Sequence, residues 1–359
     1  MTLARAYALS NDIPSALATF RQFIAMGQSS GEFLTSPDFA ALRSSPQFTE
    51  LAAAMRANES PLSRSSLALS LDSLTGLIAE DVDYDSASQS FFFSTVLGKK
   101  IFAATSDGHL REFASPPTNL PLLAVKVDPA RKLLWASAVG LRNFAGVPES
   151  TQARSVLLCY SLSSGKLLRR LDGPPGATLG DFAVAPDGDL FLADNDGALY
   201  KLPRDSSVFE RLDHGEFVSP QTPALSPDSR LLFLPDYLRG IAVLDLESGA
   251  LRWLDAQGKF ALSGIDGLCF SNGNLLAVQN GTSPERVVLF SLDSSLSRII
   301  SETVVERATP TLGDPTHGVL VSGGFFYIAN SGWDTLDDHG VLKPNSKPSA
   351  PRLMRFPLP

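Results

Sequence analysis

Cysteine is scarce in this 359-residue chain, with only Cys159 and Cys269 present. They stand far apart within apolar runs, so there is no zinc-type spacing. Each reads as a buried thiol, although sequence leaves a disulfide between them open. Long apolar runs are missing as well, and none could span a membrane. Blocks of Lys or Arg are absent, and the formal charge is −8 with a pI near 5.1. That balance argues against a nucleic-acid footprint and reads as solubility. The opening MTLARAYALSNDI lacks the basic, apolar and small-residue order of a signal peptide. The compartment stays open: cytoplasmic by default, periplasmic or secreted if the chain is a mature or truncated form.

What the chain does have is repetition. GIDGLCFSNGNLLAVQN, residues 264 to 280, is an apolar run, a tight Asn272-Gly273-Asn274 turn and a second apolar run. The plan recurs in VDYDSASQSFFFSTV, VKVDPARKLLWASAV, FAVAPDGDLFLADN, PALSPDSRLLFLPDY and GVLVSGGFFYIANS. Copies separated by roughly 40 to 60 residues have the period of propeller blades. The runs are too short and too rich in Val, Leu and Phe for helices. The predicted fold is mainly β, a six-bladed β-propeller over residues 67–359. RLMRFPL should complete the last blade and pair beside the N-terminal blade, removing an exposed sheet edge.

Residues 1–58 differ in kind. Ile13, Ala16, Leu17, Phe20, Phe23 and Ile24 recur at helical spacing, with Pro14 placed in a first turn. Ser36-Pro37 and Ser45-Pro46 read as further helix starts. The Ala and aromatic spacing, with SPDFAALRSSPQFTEL behind it, resembles a tetratricopeptide repeat. Only about one and a half units are covered, below the roughly three a solenoid needs. The expectation is a small helical segment that docks on or caps the propeller, the alternative being the tail of an array missing upstream, and a protein partner through these helices is the lesser reading. NESPLSRSS, residues 58 to 66, reads as the linker.

The repeats also act as a ruler. Stepping back four residues from the last apolar residue of each first run reaches Glu80, Leu123, Gly180, Gln221, Asp266 and His317. Asp181 lies beside Gly180. Innermost propeller strands line the central channel, so these positions should ring one mouth. Second strands end at the same face, at Thr95, Ala138, Asp194, Asp236, Gln279 and Asn330. The strand interiors look almost wholly apolar. Polar groups at the end of an apolar funnel are what a small-molecule or metal site requires. Carboxylates with amide oxygens suit Ca²⁺ first, with Mg²⁺ or Mn²⁺ as alternatives, and His317 adds a nitrogen that Zn²⁺ accepts. His317 could equally act as a general base. The blander alternative is that these groups hold ordered water.

Ile265-Asp266-Gly267-Leu268-Cys269-Phe270, followed by a Gly turn and Asn274-Leu275-Leu276-Ala277-Val278, resembles the senescence marker protein/gluconolactonase (regucalcin-like) family. The resemblance implies a six-bladed propeller that hydrolyses sugar lactones or related esters with a divalent cation in its channel. It implies that Glu80 binds metal and that Asp266 binds metal and is catalytic. Two Asn ligands of the family are replaced here. Gly180 stands at one position, with Asp181 beside it, and Gln221 stands at the other. No family role carries over to His317 or Asn330.

Two functions follow from these residues. One is a metal-dependent hydrolase using Glu80, Asp181, Gln221, Asp266 and His317, with Asp194, Asp236, Asn280 and Asn330 against substrate. The other is a non-catalytic propeller binding a small molecule or a protein. Neither involves nucleic acid or membrane.

Overall fold

A computed structural model describes residues 1–358 of the chain. Strands fill six sheets arranged as the blades of a β-propeller. The inner strands are Ala79–Asp85, Leu122–Asp128, Leu179–Val184, Ala224–Leu225, Gly267–Ser271 and Gly318–Val321, for blades 1 to 6. Each pairs antiparallel with the strand that follows it in sequence. The tight turns supply the reversal. Asn272 (φ 48°) and Gly273 (φ 74°) both sit at positive φ, as a two-residue hairpin loop of the favoured hand requires.

One apolar cluster fills each gap between neighbouring blades. Between blades 4 and 5, for instance, Phe233 stacks on Phe270 at a centroid separation of 5.1 Å. The sheets therefore bury both faces against each other, which explains why their strands read as dense apolar runs rather than strict alternation. Polar bonds lock neighbouring blades near the axis. Ser137 donates to the Gly180 carbonyl at 2.5 Å, and Asp83 accepts from the Val127 amide at 2.7 Å.

Ring closure differs from the sequence expectation. Arg352–Pro357 is the third strand of blade 6, and Ser66–Ser70 from the N-terminal side forms its outer strand. The last blade is thus stitched from both ends of the chain, which leaves its third strand covered. The stretch expected as a linker is also partly sheet. Leu62–Ser63 pairs with Ile299–Arg307 at the outer edge of blade 5.

The N-terminal segment contains α1 (Thr2–Leu9), α2 (Ile13–Ala25), a short α3 (Gly31–Thr35) and α4 (Pro46–Asn58). Asp12 caps α2 by accepting from the Ser15 amide, and Pro14 occupies its first turn. Pro37–Leu42 forms a 3₁₀ turn in place of the full helix expected there. Phe20, Phe33 and Phe39 are fully buried and form a core separate from the propeller's. Among the described residues, no helix is long and apolar enough to cross a membrane.

This helical unit docks on blade 5. The Ser29 amide donates to the Ser283 carbonyl at 2.5 Å. Arg286, 1% exposed, donates to Gln279 Oε1 at 2.8 Å, to the Met26 carbonyl at 3.2 Å and to Glu302 at 3.4 Å. Removing one member of a buried charged group leaves the others unpaired. Arg286→Ala is therefore expected to cost about 3–5 kcal/mol in urea unfolding. It should also speed proteolysis after Asn58, as the helices loosen from the blade.

Candidate functional site at the channel mouth

Three inner strands carry β-bulges at the face where they begin. The register shifts between Ala79 and Val82, between Leu122 and Val125, and between Leu179 and Phe182. A bulge sets two residues against one and re-aims side chains, so it can turn extra polar groups toward the axis. Glu80 and Asp81 occupy the first bulge, Gly180 and Asp181 the third. A Cβ at position 180 would meet Asn195 Oδ1 at 2.5 Å, so a larger residue there would have to displace that side chain.

Glu80, Asp266 and His317 converge. One donor atom from each lies within 4.8 Å of the other two. His317 Nδ1 is 2.8 Å from the backbone carbonyl of Glu80, which can only accept, so Nδ1 carries the proton. Nε2 therefore faces the cluster. It lies 3.2 Å from Asp181 Oδ1 as an ion-pair contact in which no hydrogen bond is formed. Nε2 is otherwise without a partner on a side chain only 2% exposed. Thr316 donates its hydroxyl to the same Glu80 carbonyl at 2.6 Å.

Each carboxylate has one oxygen held. The Trp333 indole N–H donates to Glu80 Oε2. The Asn280 amide donates to Asp266 Oδ2 at 2.8 Å, and Tyr237 steadies Asn280 through Oδ1 at 2.9 Å. The other oxygen of Glu80 and of Asp266 is left for a ligand. Two carboxylate oxygens and a buried, unpartnered imidazole nitrogen are a donor set that fits a divalent cation.

Burial is the first cause that raises Glu80 well above the usual carboxylate range, and the Asp266 charge adds to it. Asp266 is pushed up to about 7, again chiefly by burial, with His317 opposing and Asp181 reinforcing. Burial acts to lower His317, but the carboxylates of Asp181, Asp81 and Asp266 outweigh it and hold the imidazole well above its ordinary value. Asp181 resolves the other way. Burial would raise it, yet His317 and Lys126 keep it low.

The remaining sequence candidates are placed differently. Asn280 supports Asp266, as just described. Gln221 is half-buried and turns its amide nitrogen back to Ser219 Oγ at 3.0 Å. Asp194 Oδ1 accepts from the Thr178 amide and hydroxyl at 2.9 and 3.0 Å. Asp236 accepts from the amides of Val218, Ser219, Leu238 and Arg239. Asn330 bonds the backbone of Ala350 and Arg352. At these second-strand ends the polar atoms are spent on nearby loop backbone, the usual service of Asp and Asn at turns. The structure does not bring Asp194, Asp236 or Asn330 into the central cluster.

The strands are also less apolar below the mouth than their sequence suggests. Lys126 donates to Asp81 Oδ2 at 2.6 Å, with Asp81 wholly buried. Asp83 is pushed up to about 6, first by burial, with Lys126 pulling the other way. Lys126, Asp83 and Cys269 line a channel cavity of about 210 Å³ with apolar residues of all six inner strands. Cys269 is a free thiol only partly buried, donating to the Gly318 carbonyl at 3.3 Å, whereas Cys159 is free and fully buried. A lone Lys among the apolar residues of VKVDP was the available sequence signal.

Trp333 was the larger omission. It sits on a strap, residues 331–350, that leaves blade 6 and crosses to blade 2. There the Ala145 amide donates to the His339 carbonyl at 2.7 Å, and Phe144 meets Trp333 edge-on at 5.9 Å. Leu336 buries itself in the cluster between blades 1 and 2.

Comparison with known proteins supports the architecture. No protein-family profile matches the chain, and no curated protein matches it. Solved structures do. A gluconolactonase from Xanthomonas campestris is 18% identical, with a TM-score of 0.55 over 79% of this chain and 87% of that one. A calcium-binding protein, regucalcin, from Agrobacterium tumefaciens is 14% identical, with a TM-score of 0.58 over 80% and 92%. A luciferin-regenerating enzyme is 12% identical, with a TM-score of 0.58 over 82% and 96%. At such identities the likeness is one of fold: this chain is a six-bladed propeller.

Beside Tyr237 the rim carries Glu285 and Asp314, whose charges act on its phenol. Glu285 Oε2 accepts from the Asp314 amide at 2.9 Å. Burial pushes Glu285 to about 7 and Asp314 to about 6. A carboxyl raised in the folded state stabilises at low pH and loses that contribution as pH climbs through its folded value. Wild-type melting temperature should therefore fall over the window from about pH 4 to pH 7 on account of these groups. Glu285→Gln keeps the acceptor and removes one ionisation. Thermal melts across that window should show a shallower decline in the variant, and an unchanged slope would remove Glu285 as the cause.

Proposed function

We propose that this protein is a divalent-metal-dependent hydrolase of lactones or small esters, acting at the mouth of the propeller channel. The observation that carries the reading is the convergence of Glu80, Asp266 and His317 within 4.8 Å, with a buried imidazole nitrogen that makes no hydrogen bond and only an ion-pair contact to Asp181. The gluconolactonase among the structural neighbours supports the substrate class, and the calcium-binding regucalcin supports a divalent cation.

When bound, the cation would polarise the substrate carbonyl and lower the pKa of a bound water. This chain's residues supply the rest. Glu80 and Asp266 would each offer one free oxygen, while Trp333 and Asn280 keep the carboxylates from turning. Asp266 is partly open to the channel, so the oxygen that would hold the cation also faces an attacking water, and it would take that water's proton only on releasing the cation. Asp181, held low by His317 and Lys126, stays anionic at the edge of the cluster. Gln221 would bound the same mouth from blade 4.

A non-catalytic propeller that binds a small molecule at this mouth has one observation in its favour. His317 pairs with Asp181, and Lys126 with Asp81, so part of the buried charge is already balanced.

A panel of five- and six-membered lactones and small esters decides between them. The protein would be stripped with a chelator and assayed with Ca²⁺, Mg²⁺, Mn²⁺ or Zn²⁺ restored. The hydrolase reading expects metal-dependent turnover that falls by about 10² or more in Asp266→Asn. No turnover with any cation, alongside saturable binding of a lactone, would favour the binding propeller.

A further inference from the structure

The hydrogen bonds around the cluster bear on which cation it takes. Ca²⁺ collects six to eight oxygens, commonly using carboxylates in two-oxygen fashion. Here that mode is obstructed twice. Glu80 Oε2 is committed to the Trp333 indole, and Asp266 Oδ2 to Asn280 at 2.8 Å. What remains pointing inward is one oxygen from Glu80, one from Asp266 and the Nε2 atom of His317.

The nitrogen is oriented rather than incidental. Nδ1–H is fixed on the Glu80 carbonyl at 2.8 Å, so the ring cannot flip without losing that bond. Nε2 then faces the cluster from a side chain 2% exposed, where its contact is the 3.2 Å ion pair with Asp181 Oδ1, which a cation would displace, and no hydrogen bond satisfies it. Imidazole Nδ1 bonded to a carbonyl, with Nε2 directed at the ion, is the outer arrangement that metal-binding histidines use. Three protein donors of mixed N and O type with an open position are the pattern of catalytic zinc sites. Two of the three donors are themselves held by neighbouring side chains, which fixes their direction before any ion arrives.

We infer that the mouth selects a nitrogen-accepting cation of the Zn²⁺ type over Ca²⁺, with Glu80, Asp266 and His317 as its three protein ligands and His317 as the residue that sets the preference. The inference rests on the metal reading of the site given above, and deepens it by naming the class of cation. The Trp333 contact to Glu80 supplies an optical reporter for it, because a cation on Glu80 alters the surroundings of the indole.

The full chain, stripped with a chelator, would be titrated with Zn²⁺ and Ca²⁺ while following thermal melting and tryptophan fluorescence. Zn²⁺ is expected to raise the melting temperature and change the emission at concentrations where Ca²⁺ does neither. His317→Gln should weaken Zn²⁺ binding by at least roughly 100-fold and narrow the gap to Ca²⁺. Trp333→Phe should abolish the emission change and, by freeing Glu80 Oε2 for a second contact, raise the Ca²⁺ melting shift toward that of Zn²⁺. Should His317→Gln fail to fold, Co²⁺ on the wild-type chain serves instead. Strong visible absorption of a low-coordinate nitrogen-containing site is expected, and the weak absorption of an all-oxygen octahedral site would overturn the inference. A larger shift with Ca²⁺ than Zn²⁺, or undiminished Zn²⁺ binding in His317→Gln, overturns it while leaving the metal reading intact. Silence from every cation overturns both.

Discussion

The backbone carbonyl of Glu80 is the atom on which the site depends. It accepts from Thr316 Oγ1 at 2.6 Å and from His317 Nδ1 at 2.8 Å, joining the last blade to the first where the ring must close. The same two bonds orient the imidazole and hold Glu80 beside it. Closure of the fold and assembly of the donor set are thus one event. The stitch of Ser66–Ser70 into blade 6 belongs to the same logic, since it fixes the blade that presents His317.

Around that seam the structure concentrates charge in a place where water is scarce. Burial raises Glu80 and Asp266, whereas His317 is raised against burial by the carboxylates of Asp181, Asp81 and Asp266. Clustered perturbed groups in a cleft mark functional sites more often than scaffolding. The surrounding bonds argue in the same direction. Trp333 on Glu80, and Asn280 with Tyr237 on Asp266, fix the direction of both carboxylates.

Much of this was legible in the sequence because propeller blades repeat with fixed geometry. Counting back from the turns reached Glu80, Asp266 and His317, and the structure brings those three together. The same count failed to reveal what bulges do, since a one-residue register shift between Ala79 and Val82 redirects Asp81 toward Lys126 without any local composition signal. Asp194, Asp236 and Asn330 looked equivalent to channel residues but serve loop amides, because polar side chains at strand ends satisfy nearby backbone first. Trp333 could not be found by counting at all. Its position depends on a strap that crosses from blade 6 to blade 2, a non-local path fixed by Phe144 and Leu336.

The most direct test is a crystal of the full chain soaked in Zn²⁺ and measured for anomalous scattering at the zinc absorption edge. The account predicts one strong peak among Glu80, Asp266 and His317, about 2.0–2.3 Å from one oxygen of each carboxylate and from Nε2. A clear map with no peak there, or with the ion held elsewhere while Nε2 stays turned to Asp181, would contradict it.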